Sequence, residues 1–282
     1  AAGFGARLFP ATQVVKKELF PVVDRSGIVK PVILSLVEEA LSGGIEEVAI
    51  AIQPGDLPLF SSLFHVPPKP ELWNKLKPEQ QAYSQSLQEI GRHVTFLPQD
   101  RQEGYGHAVF CTKDWVNGEP FVLLLGDHVF SSHEAASCTR QLIEVYDRTQ
   151  HNAIGLHVIP GPEIYHSGCV AGSWQDETQR LLQVTHIAEK PTLDYARQHL
   201  HVEGLAEDEF LAIFGIYVLT AEIFDYLQDA IDRNHREGGE FQLTTRLEIM
   251  QQELGMKGYR VNGRAFDVGL PQAYRQTVAE FC

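Results

Sequence analysis

Apolar residues recur along the chain in short runs that switch between a helical and an extended period. From Pro31 to Leu41 they fall at helical spacing, with a proline in the first turn and Gly43-Gly44 at the end, which predicts an amphipathic helix. Glu47 to Ile52 is instead an almost wholly apolar run stopped by Gln53-Pro54-Gly55, the form of a strand buried on both faces. The pattern then predicts a helix over 78–90, a strand over 93–97, a buried strand over 120–125, a helix over 134–148 and a strand over 152–159. An alternating run over 182–187 follows, then a strand over 210–220 interrupted by Gly215, with Thr220 as N-cap of a helix over 221–231 and a last helix over 270–282. Strands interleaved with helices make an α/β fold on a doubly wound sheet.

Composition narrows the function classes. The 282 residues can bury a full core, and 44% hydrophobic with 21% charged residues argues for a globular chain rather than disorder. The 23 basic against 37 acidic residues give a net charge of −14, which disfavours nucleic acid as a partner and requires any anion site to concentrate its basic groups locally. Cys111, Cys138, Cys169 and Cys282 are too widely spaced for a metal cluster or a disulfide framework and suit a reducing cytoplasm. No stretch has the length of a membrane span and no signal peptide is visible, so a cytoplasmic location is expected.

The candidate chemistry begins in the first residues. Gly3 and Gly5 allow a backbone to approach a ligand closely, and Arg7 and Lys17 bring the positive charge that a polyphosphate needs. A glycine pair alone also serves an ordinary turn. There is no Gly-Lys-Ser/Thr for a P-loop and no third glycine for a dinucleotide fingerprint. Gly104-Tyr105-Gly106-His107-Ala108 again places glycines between a strand and a helix, where open α/β sheets bind ligands, although a glycine-capped turn reads the same way. The run over 121–125 delivers Asp127 just past a strand end, suited to a hard cation such as magnesium held by one or two carboxylates and phosphate oxygens. Glu189-Lys190-Pro191 leaves a strand with both charges held by the proline, or is a solvated ion pair of little consequence.

Taken in order, Gly-x-Gly-x-Arg, Lys-Glu-x-x-Pro, Gly-x-Gly-His-Ala, Gly-Asp, Glu-Lys-Pro, Glu-Phe-Gln-Leu-Thr and Asp-x-Gly resemble the sugar-1-phosphate nucleotidylyltransferase family, closest to the bacterial type of UTP:glucose-1-phosphate uridylyltransferase. The resemblance spans the whole chain. It implies a Rossmann-like, doubly wound mixed sheet of nucleotide-diphospho-sugar transferase architecture. It also implies one catalytic domain over 1–282, with a nucleotide half over about 1–130 and a sugar-phosphate half over about 131–282. The first strand is expected to be cut short at Ala1. The implied reaction joins UTP and glucose 1-phosphate into UDP-glucose and pyrophosphate. Arg7 and Lys17 handle the triphosphate; Ala2, Gly3, Gly5, Gln102 and Gly106 bind the nucleotide, the last two facing the base. Asp127 and Asp267 hold Mg2+, and Gly168, Glu189, Lys190, Gly215 and Glu240 form the sugar-phosphate side.

The chain also departs from that pattern. The loop at Gln102 is short, two residues separate Tyr165 from Gly168, and Ile216, Gly239 and Thr245 replace polar groups of relatives. His128 stands where the family often has Asp or Val and is left out of the ligand set. These changes keep two alternatives open: another base or sugar, such as dTTP, or an inactive sugar-nucleotide-binding module. The partners are then small substrates, with neither nucleic acid nor membrane and with room for a homo-oligomer.

Overall fold

The strands of the computed structural model, which describes residues 3–281, include the predicted ones in the predicted order. They are β1 (Pro21–Val23), β2 (Val29–Pro31), β3 (Val48–Ile52), β4 (Val94–Pro98), β5 (Phe121–Leu124) and β6 (His128–Ser132). The second half adds β7 (Ala153–Pro160), β8 (Gly168–Trp174), β9 (Leu181–Glu189), β10 (Glu209–Leu219), β11 (Lys257–Arg260) and β12 (Gly263–Asp267). Ala2, and with it the expectation of a shortened first strand at Ala1, lies outside the described residues.

Six strands form the main sheet in the order β5-β10-β7-β11-β9-β8. Only β7 and β11 run parallel in it, so the sheet is mixed. β3 and β4 pair in parallel, β1 and β2 form a hairpin, and β6 and β12 form an antiparallel ribbon. Helices cover the sheet through two clusters of buried side chains. Val32, Leu36 and Leu142, from the helices Val32–Ser42 and Cys138–Thr149, pack with Phe214, Ile216 and Phe266. Leu227 and Leu247, from the helices Ile223–Asp232 and Thr244–Leu254, pack with Ile154, Leu156 and Leu182. Phe60, Phe64, Phe210 and Phe214 are fully buried, each contributing roughly 2–3 kcal/mol against exposure.

Three local expectations are corrected. The helix expected over 134–148 begins at Cys138, because the Ser132 hydroxyl bonds the backbone of Glu134 and Ala136 in a separate turn, and Ser137 then caps the helix through the amide of Arg140. Thr220 is not an N-cap: its hydroxyl and amide both bond Asn152 Oδ1, and the helix starts at Ile223. β5 is half-buried rather than buried, since among the described residues it pairs on one side only, with β10. Among those residues, no helix is long and apolar enough to cross a membrane.

Candidate active site

Asp127 stands in a tight turn between β5 and β6, closed by the amide of His128 donating to Leu125 O at 3.2 Å. The ribbon partner β12 aligns Asp267 opposite His128, and the amide of Val268 donates to Asp127 O at 2.8 Å. Two carboxylates 140 positions apart in the chain therefore converge because one ribbon holds both. One donor atom from each of Asp127, His128 and Asp267 lies within 4.8 Å of the others. Lys17 reaches the same place from the N-terminal segment, its Nζ 2.6 Å from Asp127 Oδ2. His128 Nδ1 is 3.1 Å from Asp127 Oδ1.

These contacts set the protonation states. Burial pushes Asp127 up, but the His128 hydrogen bond and charge and the Lys17 ammonium outweigh it and hold the carboxyl well below the usual range. Burial works in the other direction on His128 and Lys17, yet Asp127 raises both. The arrangement suits a hard divalent ion. Two carboxylates converge, and the space between them is kept open by Gly269, where a Cβ would lie 2.9 Å from Asp127 Oδ2 and 3.0 Å from Asp267 Oδ1.

The residues expected to bind the nucleotide lie in the N-terminal segment and in the loop before the helix Tyr105–Phe110. Gly5 adopts φ +68°, and its carbonyl accepts from the Thr12 hydroxyl at 3.0 Å; a Cβ there would meet Thr12 Cγ2 at 2.8 Å. Gly3 is exposed with open space around it, and Arg7 is exposed in the 3₁₀ turn Ala6–Leu8, with no ion pair among the described residues. Gln102 is half-buried beside Glu103, which pairs with Arg236 at 2.7 Å. The Arg236 guanidinium lies 4.0 Å over the Phe241 ring, the Phe241 amide donates to Glu103 O, and the Gly106 amide donates to Phe241 O at 2.9 Å. Gly106 thus owes its lack of a side chain to the Phe241–Gln242 backbone, which a Cβ would meet at 2.8 Å.

Of the residues expected on the sugar-phosphate side, Gly168, Glu189 and Lys190 form a second group. Gly168 pairs with Glu189 in the β8–β9 ladder, and Lys190 Nζ sits 2.9 Å from Glu189 Oε1. The Lys190 backbone is held at φ +45°, with its amide on Ser167 O, a conformation rare outside glycine and common at functional positions. Thr244 donates its hydroxyl to Glu189 Oε2 at 2.8 Å. Tyr217 is buried nearby on β10, and burial with the Glu189 charge raises its hydroxyl far above the ordinary tyrosine range. Gly215 sits at φ +101° in the irregularity of β10; a Cβ would reach Leu125 at 3.3 Å and the His128 ring at 3.4 Å, so this glycine belongs beside the carboxylates. Glu240 is exposed; it abuts Gly104 and takes a bond from Gln242 at 3.5 Å, which places it by the Gly104–Gly106 loop.

Three side chains or positions of this geometry were missed by sequence reasoning. Thr244 and Gly269 lie inside quoted motifs, so the motifs were visible but their particular contacts were not. Arg236 carries no motif at all, and its role follows only from the fold.

A mixed sheet with paired carboxylates and a lysine at one strand end, and a Glu-Lys pair at another, is the framework of a nucleotidyltransferase. The chain belongs to that family: the nucleotidyl transferase model matches residues 1–281. Among individual relatives, the UTP--glucose-1-phosphate uridylyltransferase of Staphylococcus epidermidis is 32% identical over 288 aligned residues, covering 100% of this chain and 90% of the relative. Among solved structures, an apo UDP-glucose pyrophosphorylase superposes with a TM-score of 0.82 at 25% identity, covering 100% of this chain and 95% of that one. The UTP-bound enzyme of Acinetobacter baumannii gives 0.77 at 26% identity over 99% and 90% of the two chains.

Proposed function

We propose that the protein transfers a uridylyl group from UTP to glucose 1-phosphate, releasing pyrophosphate and forming UDP-glucose. The observation that carries this reading is the convergence of Lys17, Asp127 and Asp267 at the β6–β12 ribbon, in a chain similar along its full length to an enzyme named for that reaction.

In the reaction a phosphate oxygen of the sugar attacks the α-phosphorus in line, the new P–O bond forms, and the bond to pyrophosphate breaks on the opposite side. Nothing in this step needs a covalent nucleophile; alignment and charge stabilisation lower the barrier. Asp127 and Asp267 would hold a divalent cation, magnesium in this reading, whose chemistry is to offset the charge of the two phosphates. Lys17 is kept charged by its surroundings and is already oriented, so a phosphate oxygen has only to compete with Asp127 for it. Arg7, exposed at the glycine loop, would meet the departing pyrophosphate. Backbone amides of Ala2, Gly3 and Gly5 would line the polyphosphate, with Gln102 and Gly106 toward the base. Lys190 would anchor the attacking phosphate, while Glu189, fixed by Thr244, accepts from sugar hydroxyls beside Gly168. We place this reaction in the cytoplasm, where nucleotide and sugar-phosphate pools are drawn upon.

Pyrophosphate release measured over a matrix of UTP, dTTP, ATP and several sugar 1-phosphates tests the reading. The pair of UTP with glucose 1-phosphate is expected to give the highest kcat/KM. A higher value for dTTP would move the assignment to a thymidylyl enzyme, and no release with any pair would leave a binding module.

A further inference from the structure

The mechanism above gives no task to His128, yet its ring pairs with the Asp127 carboxylate beside Lys17. Consecutive residues of a strand point to opposite faces. The turn closed between Leu125 and His128 breaks that alternation and brings Nδ1 of His128 to 3.1 Å from Asp127 Oδ1. The ring is fixed from behind. It stacks on Phe130 with centroids 6.3 Å apart, Phe130 stacks on Phe214 at 5.4 Å, and the bare Cα of Gly215 leaves room for its Cδ2 edge.

That spacing fits a coordination polyhedron. An octahedral ion with bonds of about 2.1 Å holds neighbouring donors about 3.0 Å apart. Asp127 Oδ1 and His128 Nδ1 already stand at this separation, and a ligand atom of Asp267 lies within the same 4.8 Å group. Donor type then sets the choice of ion. A site of carboxylates, water and phosphate suits Mg2+, whereas an imidazole nitrogen favours first-row transition ions, whose affinity for nitrogen is higher.

Building on the two-aspartate reading of the cation site, we propose that His128 is its third protein ligand and that this nitrogen gives the site a preference for a transition ion such as Mn2+ over Mg2+. A bare hydrogen bond between His128 and Asp127 would be the competing role, and the two differ in what Mn2+ itself reports.

The test loads the full chain with Mn2+ in the presence of UDP-glucose and records pulsed EPR on protein of natural nitrogen abundance and on protein labelled with 15N-histidine. Coordination by His128 is expected to give a nitrogen modulation that changes with the label and is lost in His128→Asn and His128→Gln. Free-Mn2+ titrations should show both variants weakened at least about tenfold, the lower end of what even an outer-sphere partner is worth, with Mg2+ affinity from competition falling less. Bound Mn2+ without histidine nitrogen coupling in the wild type, which requires no variant to fold, overturns the role of His128 and leaves the two aspartates standing. Unchanged Mn2+ binding in both Asp127→Asn and Asp267→Asn would instead remove the cation site on which the proposal rests.

Discussion

The two charged groups of the site are built to different standards. Around Asp127, three elements distant in sequence converge, the side chains of Lys17 and Asp127 are only 19% and 24% exposed, and each charge is held by its neighbours well into its ionised form. Glu189 and Lys190 are consecutive residues, 30% and 45% exposed, joined by one ion pair of a kind whose worth is typically below about 1 kcal/mol. The first arrangement is preorganised: the fold already brings its charged groups together, and only the Lys17–Asp127 pair has to open for a phosphate. The second is held in place by backbone, through the left-handed Lys190 and Pro191, while its charges stay free to change partners. That division suits a step in which charge must be stabilised at one point and an exchangeable substrate gripped at another.

The sharpest way to break the comparison is at the buried end. Asp127→Ala or Asp267→Ala is expected to lower kcat at least ~100-fold with both substrates saturating, the scale of several kcal/mol that metal-assisted charge stabilisation supplies. Turnover near the wild-type value at saturating magnesium would reduce the carboxylates to a structural ion-pair network.

A smaller effect is expected at the exposed end. Lys190→Ala should raise KM for glucose 1-phosphate about tenfold, equivalent to about 1.4 kcal/mol, and leave KM for UTP unmoved. Because the pair is solvent-accessible, the wild-type KM for the sugar phosphate should also climb between about 0.05 and 0.5 M salt, as the screening length shortens. An unchanged KM in the variant would return Lys190 to the ordinary surface pair that its sequence equally allowed.

What could be read from sequence divides along similar lines. β3 and β5 were legible because apolar runs ended by proline or glycine have few other uses, β10 because its apolar run continues on both sides of Gly215, and Asp127 because it follows the run of β5. The ends of elements were less so: a serine at 132 and an asparagine at 152 diverted backbone groups that a local reading assigns to helix caps. Contacts across the chain were least visible. Gly106 signals a tight loop, but only the fold shows that the Phe241 backbone fills its place, and Gly269 signals a turn, but only the ribbon shows that it spares room between two carboxylates. His128 read as a departure from a family pattern, and its proximity to Asp127 depends on a turn that hydrophobic periodicity does not encode.

Thr244 offers the finest test of the contrast between the two groups. Its hydroxyl donates to Glu189 Oε2 at 2.8 Å from the first turn of the helix Thr244–Leu254, across 55 positions of sequence, and so ties the exposed carboxylate to a rigid element. Valine has nearly the same shape and lacks the donor. If Glu189 is oriented by this bond, Thr244→Val should raise KM for glucose 1-phosphate about fivefold, near the 1 kcal/mol of an ordinary hydrogen bond, with kcat for the saturated enzyme little changed. Thr244→Ser keeps the hydroxyl and should restore most of the loss. A near-normal valine variant beside a defective serine variant would mean that the methyl group, through packing against the helix start, matters more than the bond. Glu189 would then be placed by the β8–β9 ladder alone, and the exposed end of the site would owe its geometry entirely to backbone.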